Sequence, residues 1–292
     1  MESAPRYGRI AVVTDSTASL PAEMAAAEGV TIVPLDVIID GVAGREGVEV
    51  GAAELVAALE RGAGVRTSQP PPDEFSRAYA GAVAAGATEI VSVHLAGELS
   101  GTVASAVLAA QSATVPVHVV DSRTVALGLG FAVRAAARAA ARGEDGPAVA
   151  ALALRRALDS RVVFTVATLE HLRRGGRLGA TAAAVGTVLG LRPLLTVQDG
   201  RIAVTEKIRT TARAQARLES WAIEEAARGG RVELAVHYLG EPGPARALAE
   251  RLSARIGMAV EDVVVAEVSA VVGAHAGPGL LAVVVSHLAA AD

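Results

Sequence analysis

The chain contains no cysteine. Disulfides, thiol nucleophiles and cysteine-ligated zinc are therefore excluded. Lysine occurs once, at Lys207, so no G-K-[ST] phosphate loop can be written and a Schiff-base lysine is disfavoured. Aromatic residues make up only 2% of the 292 residues, and the formal net charge is −4. Few rings remain to stack on unpaired bases, and no basic field exists to draw in nucleic acid. Long apolar runs are missing too. Residues 125–141 are interrupted by Arg134 and Arg138, and residues 280–291 contain His287. Neither run reaches the roughly 18–20 apolar residues of a membrane span, so no stable membrane insertion is expected. Residues 1–9 are polar and lack the apolar segment of a secretory signal. Together with the absent cysteine, this leads us to expect a cytoplasmic protein.

What is present is a chain that is 52% hydrophobic, rich in alanine, and long enough for one large or two ordinary domains. Short apolar runs at 9–13, 30–39, 90–95 and 117–120 read as strands. Helical patterns at 21–28, 49–60, 72–85, 101–112, 125–142 and 148–159 alternate with them. Such alternation predicts a doubly wound parallel sheet. A boundary near residue 160 separates an N-terminal α/β domain, 1–160, from a C-terminal mixed α+β domain, 161–292. The second half reads as a strand at 162–166, a helix at 168–174 and a small-residue segment at 180–191. A hairpin follows at 194–197 and 202–206, turning on Asp199-Gly200. Helices at 211–227 and 243–256 and strands at 232–238, 263–272 and 280–285 complete it. The 67–70 segment reads as a loop.

Four polar motifs interrupt this apolar background: Thr67-Ser68-Gln69-Pro70, Leu99-Ser100-Gly101-Thr102, Gly175-Gly176-Arg177 and His275-Ala276-Gly277-Pro278-Gly279. Ser100 stands just before a helix and is followed by glycine, which gathers a hydroxyl and bare N–H groups at one point, as anion sites on helix N-termini do. The 67–70 segment adds two hydroxyls and an amide beside proline. For both motifs, ordinary capping is the competing reading. Asp15, Ser16, Asp121 and Ser122, at strand ends, read first as caps. His275 lies in a tight glycine-rich loop where an imidazole can donate to an anion. Arg177 reads either as the basic end of a helix with a glycine cap or as a contact for an anion. The other histidines lack metal-ligand spacing, so no metal and no cofactor is expected. Gly97-Glu98-Leu99-Ser100-Gly101 is not a G-x-S-x-G elbow, which argues against a serine hydrolase. Gly128-Leu129-Gly130 lies inside a helical pattern and is no dinucleotide fingerprint.

These motifs, in this order, resemble the DegV family of bacterial fatty-acid-binding proteins, binding subunits of fatty acid kinase. The resemblance runs from Thr14-Asp15-Ser16 to the His275 loop and includes Asp121-Ser122, Leu169-x-x-Leu172 before Gly175-Gly176-Arg177-Leu178, and Arg192-Pro193-Leu194-Leu195. It implies two α/β domains with a long-chain fatty acid buried between them. It implies a carboxylate held by Thr67, Ser100 and His275, with Ser68, Gly101 and Thr102 alongside. It implies a separate ATP-dependent kinase subunit that forms an acyl-phosphate, with Arg177 facing the transferred phosphoryl group. Ala96-Gly97, Val103 and Arg192 depart from the family's usual residues. The alternatives are a ligand-responsive interaction protein and, less favoured, a serine hydrolase.

Overall fold

The computed structural model describes residues 9–178 and 192–288. The small-residue segment at 180–191, with Gly186 and Gly190, lies outside them. Strands β1 (Ile10–Asp15), β2 (Thr31–Val33), β6 (Glu89–His94) and β7 (Val117–Asp121) form a parallel sheet in the order β2-β1-β6-β7. Residue parity divides its two faces. Val13 and Ile90 pack with Phe75 and Tyr79 of α3 (Pro72–Ala84) and Ala106 of α4 (Thr102–Ala110). Val12, Val91 and Val93 pack against α5 (Leu127–Ala141) and α6 (Gly146–Leu158). The sheet is doubly wound, as predicted, and its order reverses between β1 and β6. Ligands of such sheets sit off the carboxyl ends of the strands at that reversal. Gly128 and Gly130 lie inside α5 and let it pack closely; a methyl at Gly130 would stand 2.9 Å from Ala18 O.

The second sheet has six strands: β8 (Ser160–Thr165), β9 (Leu194–Gln198), β10 (Arg201–Glu206), β11 (Val232–Tyr238), β12 (Val260–Glu267) and β13 (Leu281–His287), in the order β10-β9-β8-β13-β11-β12. Among the described strands of this sheet, β11 and β12 are the one neighbouring pair that is parallel. The β9–β10 hairpin turns on Asp199 (φ 49°) and Gly200 (φ 77°), as Asp-Gly predicts. One face packs on α8 (Thr211–Ala226) and α9 (Gly243–Ile256) through Val163, Leu218, Leu234 and Leu248. The other face, with Phe164, Leu195, Ala282 and Val284, joins Leu35, Leu55, Leu127 and Phe131 from the first half of the chain in one apolar cluster.

Two expectations need correction. The 30–39 run, which reads as one or two strands, is two, and the second belongs to a three-stranded antiparallel sheet, β4-β3-β5, whose other strands stand where loops are expected: β3 (Asp36–Ile39), β4 (Val42–Arg45) and β5 (Val65–Ser68). The signal for its hairpin was Asp40-Gly41, with φ 50° and 86°, the same pair that marks the β9–β10 turn. Helix α2 (Ala52–Glu60) consequently starts after Gly51, whose N–H is capped by Glu54. The other correction is at 263–272. The strand ends at Glu267, and Ala270–Ala276 is a helix, α10. Its cap is Ser269, whose hydroxyl accepts from Val272 N at 3.2 Å. An apolar Val-Val run does not by itself separate strand from helix; the serine cap decides. His275 therefore sits in the last turn of a helix, not in a loop. Two short helices complete the described chain, α1 (Ala22–Ala27) and α7 (Glu170–Arg174).

Candidate functional site

A cavity of about 350 Å³ lies off the carboxyl ends of β1 and β6, walled by the segments that follow those strands, by residues of the three-stranded and six-stranded sheets, and by α10. Its polar cluster gathers Thr67, Ser68 and Gln69 from β5 and its end, Ser100 and Gly101 before α4, Arg177 after α7, and His275. All four polar motifs thus contribute to the wall, the Gly175–Arg177 motif through its arginine.

Thr67 Oγ1 lies 2.8 Å from His275 Nε2. When Nε2–H donates to Thr67, the Thr67 hydroxyl is free to donate to an incoming acceptor. Burial, and then the nearby Arg177 charge, push the His275 pKa down to about 4. The imidazole is neutral at neutral pH, so it meets Thr67 as a neutral hydrogen-bonding group and not as a cation. Its ring position depends on Gly175, where a methyl would collide with Nδ1. Similarly, a side chain at Gly277 (φ 80°) would strike the His171 ring.

Ser100 Oγ lies 2.8 Å from Thr102 Oγ1. Thr102 is fully buried and off the cavity wall, so it orients Ser100 rather than meeting a ligand. Ser68 is on the wall, but its hydroxyl donates to Asp36 at 3.0 Å. Gln69 folds over Gly101, where any β-carbon would collide with its carboxamide, and donates to Ser105 Oγ at 3.3 Å. Helix α4 starts directly after Gly101 of this cluster with no side-chain cap on its first N–H groups. Among the described residues, Arg177 is the one cation on the wall. It is anchored by donating from Nε to Leu99 O at 3.1 Å and from Nη1 to Gly175 O at 2.5 Å.

The rest of the wall is apolar: Leu, Val, Ile and Ala side chains, as the composition suggests, with Phe164 as an aromatic addition. Two polar residues on it present no free polar atom. Thr17 donates to Asp15 Oδ1 at 2.5 Å. His237 is wholly buried; its Nε2 accepts from Leu127 N at 3.1 Å and its Nδ1 donates to Ala266 O at 3.0 Å. Burial pushes its pKa down to about 4, so it stays neutral. Nothing in the sequence pattern around His237 marks it as a wall residue.

Of the strand-end residues expected as caps, Asp15 caps the Ser16–Ala18 turn, Asp121 and Ser122 close the turn after β7, and Ser16 instead reaches across to Leu35. Asp15 Oδ1 accepts from Thr17 N, Ser16 Oγ from Leu35 N, Asp121 Oδ1 from Arg123 N and Ser122 Oγ from Thr124 N. Asp15 does more: its Oδ2 accepts from Leu95 N at 3.1 Å and pairs with His94 Nδ1 at 2.9 Å. His94 Nε2 in turn lies 2.7 Å from Ser92 Oγ. This Asp-His-Ser chain has the connectivity of a hydrolase triad, but all three members are 0% exposed and Ser92 also takes the Tyr79 hydroxyl at 2.9 Å. No substrate reaches Ser92, and it is absent from the cavity wall. Ser100, which does reach the cavity, is bonded to Thr102 and not to a histidine. The buried network ties β1 to β6 at the sheet's reversal.

A family model described as "Uncharacterised protein, DegV family" matches residues 9–288. A DegV domain-containing protein of Streptomyces coelicolor is 47% identical over 95% of this chain and 98% of its own length. Among solved structures, a DegV family protein of Thermus thermophilus described for fatty acid binding superposes with a TM-score of 0.89 at 37% identity, covering 96% of this chain and all of that one. DegV of Bacillus subtilis, described as a fatty acid binding protein, also gives 0.89, at 30% identity and the same coverage.

Proposed function

The chain belongs to the DegV family, and on that footing we propose that it binds a long-chain fatty acid and presents the carboxylate to a separate ATP-dependent kinase. The observation that carries this reading is the division of one cavity into a small cluster of donors and a long apolar wall. Thr67, Ser100 and Arg177 supply donors to a carboxylate, and neutral His275 reinforces Thr67. A charged carboxylate needs such charge-assisted bonds to leave water. The apolar wall takes the acyl chain. About 0.8 kcal/mol per buried CH₂ amounts to on the order of 10 kcal/mol for a chain of roughly 16 carbons, before ordering costs. The acid lies between the N-terminal unit, 1–160, and the C-terminal unit, 161–292. In this reading Arg177, a cation on the cavity wall, faces the phosphoryl group transferred to the carboxylate. The chain itself is a binder and not the catalyst, and it acts in the cytoplasm; no helix among the described residues is long and apolar enough to cross a membrane.

Native mass spectrometry of freshly purified protein, followed by denaturing extraction, tests the binding. A stoichiometric fatty acid is the expected result. Protein that is empty, and stays empty after incubation with mixed fatty acids, overturns it. Recovery of an ATP-dependent kinase on the lipid-loaded protein, with acyl-phosphate formed when the two are mixed with ATP, tests the presentation step.

A further inference from the structure

Glu46 is buried, and its Oε2 is the one buried side-chain polar atom among the described residues without a hydrogen-bond partner. Its other oxygen accepts from Val271 N at 3.1 Å, at the start of α10. The same helix ends on His275, and Val271, Val272, His275 and Ala276 all lie on the cavity wall. From Val271 to His275 is four residues, about 6 Å along the helix axis. Glu46 thus carries an unpartnered carboxyl oxygen about one helical turn behind the groups assigned to the ligand carboxylate.

The groups on the elements packed around α10 do not neutralise it. Helix α2 carries Glu54 and Glu60, β3 carries Asp36, which is bonded to Ser68, and the Ser16–Ala18 turn is capped by Asp15. Strand β5 carries Arg66, which is exposed. On α7, Glu170 is paired to Arg173 and Arg174, and burial lowers the His171 pKa. Among the described residues no cation pairs with Glu46, and Arg177 lies on the ligand side of His275. An anion entering beside His275 therefore places a second negative charge close to Glu46 across a poorly solvated interior, which disfavours its ionised form.

We propose that Glu46 takes up a proton from solvent when a carboxylate enters the site, and so acts as a positioning residue that makes fatty-acid affinity fall as pH rises through neutrality. The proton goes to Oε2, and the neutral acid keeps Oε1 as acceptor for the α10 N–H. Burial raises the Glu46 pKa to about 7, partly countered by the Ser16 hydroxyl, the Val271 N–H, the Ser269 hydroxyl and the Ala270 N–H, so a modest added charge is enough to tip it. This inference rests on the carboxylate-binding reading above.

The test titrates delipidated full-length protein with oleate in two buffers of different ionisation enthalpy, from about pH 6 to about pH 8.5. The wild type should take up part of a proton per oleate near neutrality and lose affinity several-fold across that range. Glu46→Gln should bind with nearly pH-independent affinity, near the wild type's low-pH value, and take up no proton. Binding without uptake in the wild type overturns the proposal. Undiminished uptake in Glu46→Gln also overturns it, since the proton then belongs to His275 or to the ligand. If oleate does not bind at any pH, the fatty-acid reading fails first and this one with it. Should Glu46→Gln not fold, infrared difference spectra of the wild type with carboxyl-¹³C oleate decide. An unshifted protonated-carboxyl band appearing on binding supports a protein acid, and its absence overturns the proposal.

Discussion

Thr67 Oγ1 and His275 Nε2 stand 2.8 Å apart, although 208 residues separate them in the chain. The bond joins the three-stranded sheet to the last turn of α10 and leaves the Thr67 hydroxyl poised toward the cavity. Thr67→Ala removes a donor to a charged acceptor, a loss of about 1.5–3 kcal/mol, or roughly 10–100-fold in fatty-acid affinity. Ser100→Ala should behave alike, and the double variant should lose its lipid while circular dichroism shows the fold intact. Stoichiometric lipid retained by the double variant would remove these hydroxyls from the carboxylate site.

Arg177 and His275 are coupled electrically. Burial is the larger cause of the low His275 pKa, and the Arg177 charge is the second. Arg177→Gln should therefore raise that pKa while leaving it below the ordinary value of 6.5. NMR titration of the lipid-free His275 ring resonances checks this. A value at or above the ordinary one would show that burial is not the dominant cause.

Gly175 is a glycine because the His275 ring occupies the space of its side chain. Gly175→Ala should push the ring away from Thr67 and cost about 1–3 kcal/mol of stability by overpacking. Lipid affinity should fall together with stability. Urea unfolding and lipid binding measured on the same preparation test both, and unaltered binding would mean that His275 need not meet Thr67.

His237 predicts a defined acid sensitivity. Its pKa in the folded chain is lowered to about 4, so between pH 6.5 and 4 the unfolded chain binds a proton that the folded chain refuses. Its contribution is therefore present above pH 6.5 and is lost as pH falls through that window, by about 3 kcal/mol. His237→Gln should be less stable near neutrality but show a shallower fall in urea-unfolding free energy on acidification. An equally steep fall in the variant would assign the acid sensitivity elsewhere, with His275 the next residue to test.

Most elements of the doubly wound sheet could be read directly from the chain, because alternation of strand and helix, the Asp15 cap and the Ser122 turn depend on neighbours a few residues away. The Asp199-Gly200 hairpin was legible for the same reason, and Asp40-Gly41 carried an equal signal that the brevity of its strands concealed. The motif residues Thr67, Ser100, Arg177 and His275 stood out because polar side chains beside glycine and proline are conspicuous in an alanine-rich sequence. Their roles were not separable there: only packing turned Thr102 inward, tied Ser68 to Asp36 and set the His275 ring over Gly175. The helix carrying His275 was misread as strand and loop, since Val271-Val272 suits either until Ser269 is seen capping it. His237 on the cavity wall, the sealed Asp15-His94-Ser92 chain and the unpartnered Glu46 carboxyl oxygen belong wholly to tertiary structure. Burial and hydrogen-bond partnership are relations between segments that can lie more than two hundred residues apart, as Glu46 and Val271 do, and local periodicity carries no information about them.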